Sequence, residues 1–238
     1  DEPYAYEYGF ILGDGTVGQR EKGKNRVPFA ELYENSKDTT LPLKGKLGEV
    51  SINENNINFT RIYFNDVDCD FSSKLKYDKG LPNEIFTWSR KSMINFFAGW
   101  IDADGTKTVN GCRIYGCEDK LRDGQLLLTK LGISSSINLM SKKDVKTNMT
   151  IRKNDVWYLQ ISDTKDLYSN RMKLVSKPVK GKGLNQIIKS IEKIDGLYDS
   201  YCFEEPETHN GLFGNVLTKQ CNLTEINGSL CNTEEEFY

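Results

Sequence analysis

The stretch that decides the fold is Phe97-Ala98-Gly99-Trp100-Ile101-Asp102-Ala103-Asp104-Gly105, and it has a fainter partner in Tyr8-Gly9-Phe10-Ile11-Leu12-Gly13-Asp14-Gly15. Each reads as the end of an apolar helix, over residues 4–13 and 91–103, stopped by an Asp-Gly pair. Glycine stops helices because it takes the left-handed conformation without a Cβ penalty. Small residues recur four apart in both, Gly9 with Gly13 and Gly99 with Ala103. That spacing puts them on one helix face, where two backbones can approach closely. Parallel helices packed on those faces bring Asp14 and Asp104 together.

A carboxylate at a helix C-terminus opposes the macrodipole, at a cost of roughly 0.3–1 kcal/mol, and two such carboxylates repel each other. A divalent cation relieves both penalties, and an all-oxygen donor set suits Mg²⁺. A metal near two scissile phosphates is what phosphodiester hydrolysis needs, because it stabilises the attacking and leaving oxygens. One Asp-Gly helix alone is explained as an ordinary buried helix and turn. Two copies with matched spacing, followed by similar strands, are not.

Strand-like stretches follow each helix: 26–33, 49–53 and 56–64 in the first half, then 112–118, 134–141 and 157–162 in the second. Later helices are expected at 120–131, with Leu121, Leu128 and Leu131 on one face, and at 166–175. One unit is written twice with a period near 90 residues, Gly15 and Gly105 marking the same point. An α+β protein with two pseudo-symmetric sheets follows.

FAGWIDADG resembles the LAGLIDADG motif of homing endonucleases almost letter for letter, and YGFILGDG resembles the divergent first motif of monomeric members. The resemblance covers about residues 3–197 and implies two αββαββα repeats, at 1–90 and 91–197, whose saddle-shaped sheets lie in the DNA major groove. It implies that Asp14 and Asp104, with Gly13 and Ala103 beside them, hold Mg²⁺ (Mn²⁺ substituting), and that the cut is staggered across the minor groove. The first motif departs from the second where Leu12 and Gly13 replace Asp102 and Ala103. Lys79-Gly80-Leu81-Pro82 resembles the Lys-x-Ile-Pro element whose lysine is a catalytic-site cation in intein endonucleases; the plain alternative is a solvated turn lysine. Its second-half counterpart lies among Lys177, Lys180 and Lys182, and Lys180 is taken. DNA contacts are expected from Arg20, Lys22, Lys24, Arg26 and Arg61, then Arg113, Lys142, Lys143 and Arg152, since basic side chains reach guanine edges or phosphates.

Residues 198–220 resemble the C-terminal splicing segment of an intein, a short β-rich module. On that resemblance His209 assists cleavage, and the side-chain amide of Gln220 cyclises. Cys221 accepts the upstream segment by thioester exchange, as a thiolate nucleophile can. Gln220 stands where Asn is usual. Cys202, with Thr218 before Lys219, resembles inteins that start splicing from an internal cysteine; the alternative is a buried small residue in a strand. The N-terminal splicing region is not in the sequence, so the chain is expected not to splice alone and to be a shortened piece or one half of a split intein. Residues 221–238 resemble a ribonucleotide reductase segment, which makes a reductase gene the expected host.

Charge is uneven. Thirty-one of the 32 basic and 26 of the 34 acidic residues precede Tyr198, so that body carries +5 and the tail −7. A positive body permits phosphate binding without demanding it. Six cysteines without a CxxC pair, and one histidine, argue against zinc and for reduced thiols in a cytoplasm, whether prokaryotic, viral-infected or phage-infected. No apolar run reaches the ~20 residues of a membrane span, and the opening DEPYAYEY lacks the order of a secretory signal. The expected partner is double-stranded DNA with a long asymmetric site at the intein insertion point, bound by a monomer. Two rival readings remain: an inactive LAGLIDADG protein that binds DNA or RNA as regulator or maturase, and a splicing-only intein fragment. Retention of both aspartates favours the nuclease, because binding alone needs no acidic pair.

Overall fold

The computed structural model describes residues 1–19, 26–33, 41–52, 58–146 and 154–177, positions 190, 192 and 196, and two short strands at 210–213 and 216–219. The chain divides into two compact units, residues 1–184 and 185–238.

In the first unit, helix α1 (Ala5–Asp14) is followed by β1 (Gly15–Gln19), β2 (Arg26–Tyr33), β3 (Lys46–Ile52), β4 (Asn58–Tyr63) and helix α2 (Cys69–Tyr77). Helix α3 (Arg90–Asp104) then leads to β5 (Gly105–Thr108), β6 (Gly111–Gly116), α4 (Glu118–Lys130), β7 (Ser135–Ser141) and β8 (Val156–Ile161). The two antiparallel sheets have the same order, β1-β2-β4-β3 and β5-β6-β8-β7. The doubling read from the sequence is therefore a doubling of topology.

The centre of the unit is the α1–α3 pair. A Cβ added to Gly9 would sit 1.9 Å from the Phe96 carbonyl oxygen, and one added to Gly99 would sit 2.0 Å from the Tyr6 carbonyl oxygen. The helices thus touch backbone to backbone through reciprocal glycines. Around that seam Phe10, Ile11, Phe96, Phe97 and Ile101 are fully buried and Trp100 nearly so. Side chains at two starts fix the helix ends: Ser89 accepts from the Ser92 N–H in α3, and Asp68 from the Phe71 N–H in α2.

Two expectations change. No helix forms over 166–175; the segment is irregular, because the buried Asp102 carboxylate takes the N–H groups of Asn170 and Arg171 out of any helical ladder. Helix α2 is a later helix of the first αββαββα repeat; the sequence reading does not assign its residues, although Asp68 marks its start. The Asp-Gly stops also work differently from expectation. Gly15 and Gly105 have φ of −82° and −85°, not left-handed values. They must be glycine because an added Cβ would come within 2.4 Å of the Ile11 Cα and 2.2 Å of the Ile101 carbonyl oxygen.

In the second unit β9 (Asn210–Phe213) pairs antiparallel with β10 (Val216–Lys219), Thr218 lying opposite Gly211. No helix among the described residues is long and apolar enough to cross a membrane.

Candidate active site at the paired helix ends

Asp14 and Asp104 are the last residues of α1 and α3, delivered to one place by the glycine seam. A Cβ on Gly13 would lie 2.4 Å from the Ala103 Cβ and 2.9 Å from an Asp104 carboxylate oxygen, so the helix ends are also in contact. The Asp14 side chain is 42% exposed, and its carboxylate opens to solvent. Asp104 is more enclosed. Burial first, and the neighbouring Asp14 second, push its carboxyl up to about 6, against the pull of Lys76. The two acids therefore sense each other.

Lys76, on the last turn of α2, donates to the Leu12 carbonyl at 3.1 Å and to the Gly13 carbonyl, capping the C-terminus of α1. Burial draws its amine below the usual lysine range, opposed by attraction to Asp104 and Asp14. Lys120 crosses from α4 to donate to the Leu75 carbonyl at 2.8 Å and the Lys76 carbonyl at 2.6 Å, fixing the end of α2. On the other side Arg171 Nη1 lies 3.8 Å from Asp14 Oδ2, its guanidinium over the Phe10 ring. Asp14 and Arg171 share a concavity of about 430 Å³ with Thr16, Phe29, Ala30, Glu31 and Tyr33.

Two carboxylates, neighbouring helix-end carbonyls and open solvent make an oxygen donor set with no soft ligand, which fits a hard divalent ion. Among the described residues there is no cluster of three or more His, Cys, Asp or Glu.

The structure assembles Asp14, Asp104, Gly13 and Ala103. It does not bring Lys79 to them. That side chain is 86% exposed and its amine lies 3.7 Å from Asp119, because α2 ends at Tyr77 and the chain has left the site by residue 79. The lysine at the helix ends is Lys76, which has no distinguishing mark in the sequence. Arg171 was hidden inside the segment read as a helix. Among expected DNA contacts, Arg61 is paired with Glu31 at 3.2 Å and packs against the rings of Phe29 and Phe59. Arg113 donates to Gln160 at 2.8 Å and stacks 4.4 Å from the Tyr158 ring centroid. Arg26 donates to Ser73 at 3.4 Å, and Lys142 and Lys143 are exposed after β7. Arg20, Lys22, Lys24, Arg152, Lys180, Cys202, His209, Gln220 and Cys221 lie outside the described residues.

Residues 91–171, which include α3 and its Asp104 terminus, match the family model for the LAGLIDADG-like domain. The chain carries a LAGLIDADG-like domain. Over 93% of its length it is also 24% identical to the ribonucleoside-diphosphate reductase large subunit of Invertebrate iridescent virus 6, of which it spans 23%. Similar solved structures include the homing endonuclease I-DmoI in complex with DNA and calcium, 20% identical, covering 68% of this chain and 83% of that one, with a TM-score of 0.45. The homing endonuclease I-WcaI bound to its DNA recognition sequence is 13% identical, covering 65% and 74%, with a TM-score of 0.39.

Proposed function

We propose that this chain is a site-specific double-strand DNA endonuclease of the homing kind, hydrolysing phosphodiester bonds with magnesium held by Asp14 and Asp104. The observation that carries the reading is the meeting of those two acids at the ends of glycine-packed helices, beside the LAGLIDADG-like match. Magnesium there supplies Lewis-acid stabilisation of the reacting oxygens and a bound water of lowered pKa. The chain's own share is positional. The helix seam fixes the separation of the carboxylates, and Lys76 neutralises the carbonyl end of α1 and part of the charge on Asp104. Basic side chains on both sheets provide phosphate and base contacts from a single chain, so the enzyme acts as a monomer on a long asymmetric site.

The endonuclease is joined to the C-terminal part of an intein lodged in a reductase reading frame. Alignment with the viral reductase runs through 93% of the chain, which supports insertion within such a frame. His209, Gln220 and Cys221 carry the splicing chemistry, with Cys202 and Thr218 at an internal start.

The test is a plasmid bearing the host reductase gene without the intervening segment, incubated with the protein and Mg²⁺. Linear product is expected, cut at the uninterrupted junction. Binding without cutting would establish the inactive DNA-binding protein instead.

A further inference from the structure

We infer that Arg171 is the phosphate-binding cation of the Asp14 centre, held in place by the buried Asp102 carboxylate. The inference rests on the endonuclease reading and assigns roles inside it.

The placement is built, not incidental. Asp102 is 1% exposed and accepts from the Tyr6 hydroxyl at 2.7 Å, the Asn170 amide side chain at 2.9 Å, the N–H groups of Asn170 and Arg171 at 3.0 and 3.2 Å, and the Ser169 hydroxyl. The Ser169 oxygen in turn accepts from the N–H groups of Arg171 and Met172 at 3.2 and 3.0 Å. Three consecutive residues are thus tied to one carboxylate on α3, and the backbone of Arg171 is fixed at its own N–H. A buried carboxylate is costly unless its oxygens are satisfied. Here they are satisfied by the segment that aims the guanidinium across the seam towards Asp14.

At 3.8 Å the Arg171–Asp14 contact is a charge pair longer than a hydrogen bond, and it lines the concavity onto which the Asp14 carboxylate opens. A phosphate brought to Asp14 comes within reach of a planar donor suited to two phosphate oxygens. The first half solves the same problem otherwise. Leu12 occupies the place of Asp102, and the segment after β4 forms α2, which sends Lys76 to the Leu12 and Gly13 carbonyls at the end of α1. In the hydrolysis a water oxygen bonds to phosphorus and the P–O ester bond breaks with its electron pair on the leaving oxygen. One water proton ends on that oxygen, the other stays with the new phosphate hydroxyl or passes to solvent, and Arg171 offsets the charge gathering on the non-bridging oxygens.

Removing such a cation costs on the order of 10²–10³-fold in rate, and here only one strand should bear it. The experiment follows a supercoiled plasmid carrying the uninterrupted reductase site, with Mg²⁺, separating nicked from linear product. Wild type should give linear DNA with little nicked circle. Arg171→Ala should accumulate nicked circle, one strand slowing ~100-fold while the other stays within a few-fold. Arg171→Lys should recover part of the slow strand, and Ser169→Ala, which loosens the loop, should lower that strand's kcat without changing DNA affinity. Equal strand rates in Arg171→Ala, or an affinity loss alone, overturn the inference while leaving the nuclease intact. A wild type that cuts neither strand overturns the reading beneath it.

Discussion

Asp104 is a carboxylate held where its charge is unwelcome, by burial first and by Asp14 second. Its pKa in the fold, about 6, is above the ordinary aspartate value that an unfolded chain shows. The unfolded state therefore gives up this proton first as pH rises. The stability tied to the protonated form is complete below about pH 4 and lost as pH climbs through about 6. In metal-free protein Asp104→Asn removes the penalty, so the variant should be more stable than wild type at pH 8, by roughly 1–3 kcal/mol. The gain is limited by the lost attraction to Lys76 and should vanish as pH falls to 4. Denaturant melts in a chelator at pH 4, 6 and 8 measure this, and a pH-independent difference would contradict it. Both acids were legible in the sequence because the motif repeats. Lys76 and Arg171 were not, since a lone cation carries no periodicity and its placement depends on how α2 and the 169–171 loop are tied down.

The α1–α3 seam has no room for a methyl group. Gly99→Ala would drive a Cβ into the Tyr6 carbonyl at 2.0 Å, where rigid backbone must give way. The expected loss is about 3 kcal/mol or more, at or above the usual cost of overpacking. Gly116→Ala in β6 is the control, because its Cβ would meet Leu121 carbons at an ordinary 3.6 Å. It should change stability by less than about 1 kcal/mol. Parallel thermal melts compare the two, and similar losses would mean that the seam is not what holds the helices. At this scale the sequence was legible wherever a pattern was local. Strand β2 occupies the expected residues, and α3 and α4 lie within two residues of expectation. Residues 166–175 misled because their partner, Asp102, is more than 60 positions away and inside the core.

The two halves share a strand order and differ in the faces they leave open. On the first sheet, register places Glu31 opposite Arg61, flanked by Phe29–Tyr63 and Tyr33–Phe59 pairs. On the second, Arg113 lies opposite Gln160 and Tyr115 opposite Tyr158, with Asn138 on the far side of Tyr158. Arg61 is compensated by a carboxylate, whereas Arg113 is oriented by a neutral amide and a ring. Arg113→Ala should therefore weaken binding to the target duplex about ten-fold and relax discrimination at one base pair, in line with ~1–3 kcal/mol for a good bidentate contact. Arg61→Ala should cost less, because Glu31 already offsets its charge. Fluorescence anisotropy on single-substitution targets at fixed salt checks this, and equal losses would remove the asymmetry. The +5 body and −7 tail were legible in the sequence; the pairing of Arg61 with Glu31 and of Arg113 with Gln160 was not, because it depends on strand register.

The most direct measurement is Mg²⁺-dependent cleavage and binding of the intein-free reductase site by wild type, Asp14→Asn and Asp104→Asn side by side. Wild type should bind and cut, and each variant should bind within a few-fold of wild type and cut neither strand at a detectable rate. Cleavage by either variant at the wild-type rate would mean that the acids joined by the helix seam are not the catalytic pair.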